Sequence, residues 1–243
     1  MTHTALTDMQ SRSEGFLSDL RIEDSRIPDA VLVSATYHPA AFRQPLFDAL
    51  NIPCPERLLG AVDKRRAEYL AGRTMARVAM RLLDHPPTSV TTQPGRAPHW
   101  PDGLSGSISH ARGRTACLLS RDTDQGFGVD TEAVASGRSL NAILAETLNS
   151  TERDRIAHGT FAPATNATLA FSAKEALFKA LYPQVGRHFG FDAAELIAAP
   201  ERDHLILSLT TDLTTELTKG RCFDIHHRLS GTHVLTWLAV PTP

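Results

Sequence analysis

Cysteine is scarce: Cys54, Cys117 and Cys222 are an odd number, widely spaced, with neither a Cys-x-x-Cys pair nor a histidine at zinc-site spacing. This argues against both a disulfide framework and structural zinc. Neither sign of charge dominates, since 25 Lys and Arg against 27 Asp and Glu leave a net charge of −2. That balance removes the broad basic surface that holds nucleic acid by bulk electrostatics. Long apolar runs are missing too: Val234 to Val240, among the longest, is interrupted by Thr236, far short of the roughly 20 residues of a membrane span. Met1 to Ser25 mixes Thr, Asp, Arg, Ser and Glu without the apolar segment of a secretory signal. A cytoplasmic protein with reduced thiols is therefore expected. Asn149-Ser150-Thr151 and Asn166-Ala167-Thr168 match the glycosylation pattern, but without a secretory route the match carries no weight. A Gly-x-Ser-x-Gly elbow, a Walker loop, a dinucleotide fingerprint and His-Glu-x-x-His are all absent, which sets those enzyme classes aside.

What remains is ordinary globular composition, 42% hydrophobic and 21% charged over 243 residues, enough for two halves with real cores. The halves are drawn at 1–122 and 123–243. Residues 1–55 read as loop-rich with a strand from Val31 to Thr36. A helix is predicted from about Pro55 to Leu83, in two pieces near Gly60 or through it, stopped by Asp84-His85-Pro86-Pro87. Strands are predicted at Thr115 to Ser120 and Gly126 to Asp130. Ser150 or Thr151 is expected to cap a short helix through Ile156, and a long helix runs from about Pro163 to Tyr182, ending before Pro183. Final strands fall at Leu205 to Thr210, Cys222 to Leu229 and Thr232 to Val240. Strands in hairpin runs favour antiparallel sheets with helices on one face, an α+β fold; one long helix per half raises the hypothesis of two pseudo-symmetric halves, each a small antiparallel sheet packed on a long helix, which the resemblance named below also implies.

Two strings carry chemistry. In Gly128-Val129-Asp130-Thr131-Glu132, strand geometry puts Asp130 and Glu132 on one face, a spacing that can pinch a cation. A lone Asp-x-Glu more often means a solvated strand end. In Phe171-Ser172-Ala173-Lys174-Glu175-Ala176-Leu177-Phe178-Lys179-Ala180, helical projection sets Glu175 between Lys174 and Lys179. Its plain alternative is a surface Glu–Lys pair above a core face of Phe171, Leu177, Phe178 and Leu181. Magnesium wants hard oxygen ligands and phosphates want lysine or arginine, so together the strings supply both halves of a magnesium–phosphate site. On the first long helix, Arg73 lies only about 20° from Val62 and Met80 in projection, on a face otherwise apolar. For Arg73, and next for Arg65, a ligand phosphate is the expected partner, whereas Arg66 and Arg81 read as solvated or paired. In Ser107-Ile108-Ser109-His110, small residues open the backbone to an anion, with Ser109 and His110 as candidate contacts.

Read in order, Lys64-Arg65-Arg66-Ala67-Glu68-Tyr69-Leu70-Ala71-Gly72-Arg73, Arg96-Ala97-Pro98-His99-Trp100-Pro101, Gly106-Ser107-Ile108-Ser109-His110 and the two strings above resemble the 4′-phosphopantetheinyl transferase superfamily. Within it, the enterobactin synthase component D type is the nearest likeness. The resemblance implies coenzyme A and Mg²⁺ bound between two similar halves, and transfer of the phosphopantetheine arm to a serine of an apo acyl or peptidyl carrier protein with release of 3′,5′-ADP. By similarity, Asp130, Glu132 and Glu175 hold Mg²⁺. Lys174, Lys179 and His110 contact the phosphates of coenzyme A, while Arg65 and Arg73 take its 3′-phosphate region, with Arg96 a further candidate. Glu175 is the candidate base and Lys179 stabilises the leaving group. Thr131 stands where family members commonly carry an aliphatic residue. A monomer is expected, with no nucleic-acid partner. The competing readings are a non-catalytic coenzyme A-binding regulatory module and a magnesium-dependent phosphoester hydrolase.

Overall fold

The computed structural model describes residues 2–93 and 97–242, with side chains from residue 6 onward, and divides into units 1–123 and 124–243. Each has its own helix-on-sheet core, and the fold is α+β. The first unit runs α1 (Thr2–Arg12), β1 (Leu17–Glu23), β2 (Ala30–Tyr37), α2 (Leu46–Ala49), α3 (Glu56–Leu59), α4 (Asp63–Leu82), β3 (Thr91–Thr92), β4 (Pro98–His99), β5 (Ser105–Ala111) and β6 (Arg114–Ser120). Its main sheet has the order β1-β2-β6-β5, antiparallel throughout.

Residues of α4 at helical spacing, Ala67, Leu70, Ala71, Met75 and Val78, are buried and belong to one cluster with Val33, Ala35, Tyr37, Cys117 and Leu119 of the sheet. The predicted break at Gly60 is real, because Val62 in extended conformation restarts the chain as α4. The segment 1–55 departs from expectation in carrying α1 and β1. Asp19 sits at a positive φ of 52°, and the pairing of β1 with β2 shifts register between Ser18 and Arg21. That irregularity breaks the two-residue alternation by which a strand is read from sequence.

The second unit runs β7 (Gln125–Ala133), α5 (Gly137–Ala142), a π-turn at Ile143–Thr147, α6 (Ser150–Ala157), α7 (Pro163–Val185), β8 (Ala194–Leu196), β9 (His204–Leu209), β10 (Cys222–Ser230) and β11 (His233–Pro241). The sheet order is β7-β11-β10-β9-β8, again antiparallel. Alternate residues Leu205, Leu207, Leu209, Phe223, Ile225, Val234 and Leu238 join Ala170, Ala173, Leu177 and Leu181 of α7 in the core.

Two boundaries differ from the sequence reading. The cap of α6 is Asn149, whose side chain accepts from the Glu152 N–H while the Glu152 carboxylate accepts from the Asn149 N–H. This reciprocal capping box outcompetes a single hydroxyl cap at Ser150 or Thr151. Helix α7 also continues past Pro183 to Val185 and ends at Gly186, whose φ of 68° is left-handed and whose N–H reaches the Tyr182 carbonyl. A proline this near the C-terminal end forfeits little of the hydrogen-bond ladder, and the glycine supplies the actual stop.

The packing of α7 on β7 is unusually close. A Cβ placed on Gly128 would lie 1.9 Å from the Ala176 carbonyl oxygen, and one on Gly126 would lie 2.2 Å from that of Ala180. Only glycine allows helix backbone to rest directly on strand backbone there. Because side chains alternate along a strand, positions 126, 128, 130 and 132 share a face, so the face that receives α7 also carries Asp130 and Glu132.

Candidate active site

Where the glycines end, polar groups begin. Asp130 is only 4% exposed. Its Oδ2 accepts from Ser172 Oγ at 2.8 Å, and its Oδ1 accepts from Lys179 Nζ at 2.7 Å. The same ammonium donates to the Val129 carbonyl at 3.0 Å. Thr236, directly across from Asp130 on β11, lies 2.8 Å from Ser172 Oγ through its own hydroxyl. With the serine proton committed to the carboxylate, Thr236 is the donor in that pair, so a chain of donors converges on Asp130. One turn farther back, Thr168 Oγ1 accepts from the Ala135 N–H at 3.0 Å. Residues 168, 172, 175 and 179 are three or four apart and form one stripe of α7, a polar seam laid along β7.

Glu175 lies half-buried in this stripe. Burial raises its carboxyl above the usual range and the charge of Asp130 raises it further, opposed by Lys179 and His188. Two carboxylates and one ammonium therefore act on each other here. Glu132 is half-buried two positions beyond Asp130 on the same face, opposite Val234. Among the described residues, no group of three or more His, Cys, Asp or Glu side chains is gathered as a metal cage. Magnesium commonly takes one or two protein carboxylates and completes its shell with substrate phosphates and water. The hard-oxygen pair Asp130 and Glu175, whose mutual repulsion a divalent cation would relieve, fits that demand.

Lys174 is placed differently from the expectation that it meets phosphate. Its Nζ is enclosed, donating to the carbonyls of Thr147 at 2.9 Å and Phe191 at 3.0 Å and pairing with Glu152 at 2.8 Å. Both side chains are almost wholly buried, at 3% and 1% exposure. Residue 174 is about 200° around the helix from residue 172, so the lysine serves the side of α7 away from Asp130.

In the first unit, Arg73 has found neutral partners. Its Nε donates to the Val90 carbonyl at 2.7 Å, one terminal nitrogen reaches the Thr91 carbonyl and Thr92 Oγ1, and the guanidinium lies 4.8 Å from the centre of the Tyr69 ring. None of these cancels its charge, and burial pulls its affinity for the proton down. Arg57 joins it, donating to the same Thr92 hydroxyl at 2.8 Å and lying 5.8 Å from the same ring. Both arginines line a cavity of about 240 Å³ with Ile52, Pro53, Pro55 and residues 88–92. The sequence reading missed Arg57, because the break at Gly60 puts it outside the periodicity of α4. Arg65 is exposed on α4. Ser109 is buried on β5 and its carbonyl accepts from Thr115 Oγ1 at 3.3 Å, while His110 beside it is exposed. A Cβ on Gly72 would come within 2.9 Å of Ile108 and 3.9 Å of the His110 ring, so the glycine before Arg73 brings α4 down onto the strand that carries Ser109 and His110. Arg96 lies outside the described residues.

Two family models match the chain: "4′-phosphopantetheinyl transferase N-terminal domain" over residues 55–120 and "4′-phosphopantetheinyl transferase superfamily" over residues 126–235. The chain belongs to the 4′-phosphopantetheinyl transferase superfamily. Enterobactin synthase component D of Salmonella typhi is 37% identical over 166 residues, 67% of each chain. The 4′-phosphopantetheinyl transferase Svp of Streptomyces mobaraensis is 35% identical over 181 residues, 71% of this chain and 72% of the relative. PptT of Mycobacterium tuberculosis is 31% identical over 174 residues, 69% and 75% of the two chains. As a member of this superfamily the protein is a phosphopantetheinyl transferase; Arg57 and Arg73 fall inside the first matched segment, and Asp130, Ser172, Glu175 and Lys179 inside the second.

Proposed function

We propose that the protein moves the 4′-phosphopantetheine arm of coenzyme A onto a serine hydroxyl of an apo acyl or peptidyl carrier protein, with Mg²⁺ and with release of 3′,5′-ADP. The observation that carries this reading is the hydrogen bonding of Ser172 and Lys179 to the buried carboxylate of Asp130, with Glu175 near enough to feel its charge. Asp130 and Glu175, with Glu132 on the same strand face, would hold the metal. A bound Mg²⁺ supplies charge neutralisation at the pyrophosphate.

The residues of the chain divide the remaining work. Lys179, 27% exposed beside Asp130, is placed to offset charge on the phosphate oxygens as the bond to the bridging oxygen breaks and that oxygen leaves with 3′,5′-ADP. Glu175 takes the proton of the attacking serine, directly or through a water. Ser172 and Thr236 fix the Asp130 carboxylate so that it need not reorganise during the reaction. Arg65 and Arg73, with Arg57 beside the latter, take the 3′-phosphate end of coenzyme A, and Ser109 and His110 lie on the neighbouring strand. The names of the enterobactin synthase relatives favour a peptidyl carrier of siderophore synthesis as the acceptor.

Incubation with coenzyme A, Mg²⁺ and a panel of apo carriers is expected to add the mass of the arm to at least one of them. No addition to any carrier, with coenzyme A bound tightly and intact, would instead support a binding module. Breakdown of coenzyme A without a carrier would support a hydrolase.

A further inference from the structure

The transferase reading has no task for the most thoroughly enclosed charged pair in the second unit. Glu152 of α6 spends its carboxylate on three elements: Oε2 accepts from the Asn149 N–H at 2.9 Å, Oε1 accepts from the Leu196 N–H at 2.8 Å, and Lys174 of α7 pairs with Oε1 at 2.8 Å. Lys174 spends its remaining donors on the carbonyls of Thr147, at the end of the π-turn, and of Phe191, in the segment that follows α7. Every charge and donor in this node is met inside the protein, which is the condition under which a buried ion pair confers geometric definition.

Residues 172 and 174 lie on roughly opposite sides of α7. Ser172 ties one side to Asp130 and Thr236, and Lys174 ties the other to α6, the π-turn and residue 191. A helix gripped from both sides cannot roll about its axis. Glu175 and Lys179 follow on the Ser172 side, so the reach of Lys179 to Asp130 and the place of Glu175 beside it depend on that roll. Residue 191 also ends the stretch that folds back along α7, where His188 and Phe189 pack on Phe178 with ring centres 5.3 and 4.9 Å away.

We infer that the Lys174–Glu152 pair is a positioning device for the reaction: it sets the roll of α7 and pins residue 191, and through them the placement of Glu175 and Lys179, without touching coenzyme A. This rests on the transferase reading, and two measurements keep the failures of the two ideas apart.

First, the neutral pair variant Lys174→Met/Glu152→Gln is compared with wild type by thermal melting and by steady-state kinetics. A folded variant with kcat lowered about 10- to 100-fold and an unchanged KM for coenzyme A is expected, as for a loss of alignment alone. Unaltered kcat in the folded variant, or a defect confined to that KM, overturns the inference. Second, the native protein is trace-acetylated and its lysines are read by peptide mass spectrometry with and without coenzyme A and Mg²⁺. Lys174 is expected to stay unmodified under both conditions. Labelling of Lys174 in the free protein that coenzyme A suppresses overturns the inference, whatever the variant does. If wild type transfers nothing to any carrier, the transferase reading falls, and the acetylation pattern still decides whether Lys174 is enclosed or meets the ligand.

Discussion

In the proposed function Glu175 would answer proton, metal and substrate demands together, and its titration has a sign that can be checked. Folding raises its carboxyl above the ordinary value of 4.5 through burial and the nearby charge of Asp130, so between the unfolded and folded values the native state holds the proton more tightly. Stability should therefore fall as pH rises through that interval, and Glu175→Gln should abolish this fall while eliminating transfer. Melting temperatures of the two proteins between pH 4 and pH 8 test the first expectation, where ~4 and ~8 simply bracket the carboxyl range. A parallel decline in both proteins would assign the effect to another group. Asp130→Asn should leave the fold cooperative and lower turnover by at least about a hundredfold, comparable to losing a principal electrostatic contact in the transition state. Asp130 and Glu175 stood out in the sequence only when the two strings were taken together, since each string alone has a plain structural alternative. Lys174 was not correctly placed, since adjacency to Glu175 says nothing about the direction of a side chain about 100° further round the helix. Its partner Glu152 gave no local sign either, lying 22 residues away.

Helix α7 shows how an element can be predicted well and its setting missed. Its start at Pro163 and its apolar composition were legible, whereas its stop at Gly186 was hidden by the more conspicuous Pro183. The two glycines of β7 read as ordinary strand residues, yet they allow the helix to settle on the strand and bring Lys179 to Asp130. Gly128→Ala should cost about 3 kcal/mol or more, the upper end for overpacking, because the obstacle is a carbonyl oxygen rather than a movable side chain. Urea unfolding measures this, and a change under about 1 kcal/mol would mean the helix shifts freely. On the other side of α7, Lys174→Met alone strands the Glu152 carboxylate and should destabilise by about 3–5 kcal/mol, more than the neutral pair variant does. The order of those two variants in chemical denaturation is the informative result.

Taken as one chain, the protein carries Asp130, Glu175 and Lys179 in residues 124–243 and its arginine-lined cavity in residues 1–123. Among the described residues no helix is long and apolar enough to cross a membrane. The α+β plan was readable because each unit repeats one simple arrangement, an amphipathic or alanine-rich helix on a hairpin-built sheet. The irregular β1 and the cavity that includes Arg57 were not, since both depend on contacts between distant segments. A ligand that binds only the native chain raises its stability by about 2.7 kcal/mol at a hundredfold excess over Kd. Coenzyme A should produce such a rise in calorimetry and Mg²⁺ should enlarge it. Asp130→Ala is expected to lose the magnesium-dependent part, and Arg73→Ala to keep it at weaker nucleotide affinity. Equal losses in the two variants would contradict this division. The bare contact at Gly128 also offers a reporter: one of its Cα hydrogens aims at the Ala176 oxygen, a weak C–H···O approach. The corresponding NMR resonance should be deshielded, and its shift would register in any variant, without substrate or assay, whether α7 is seated on β7.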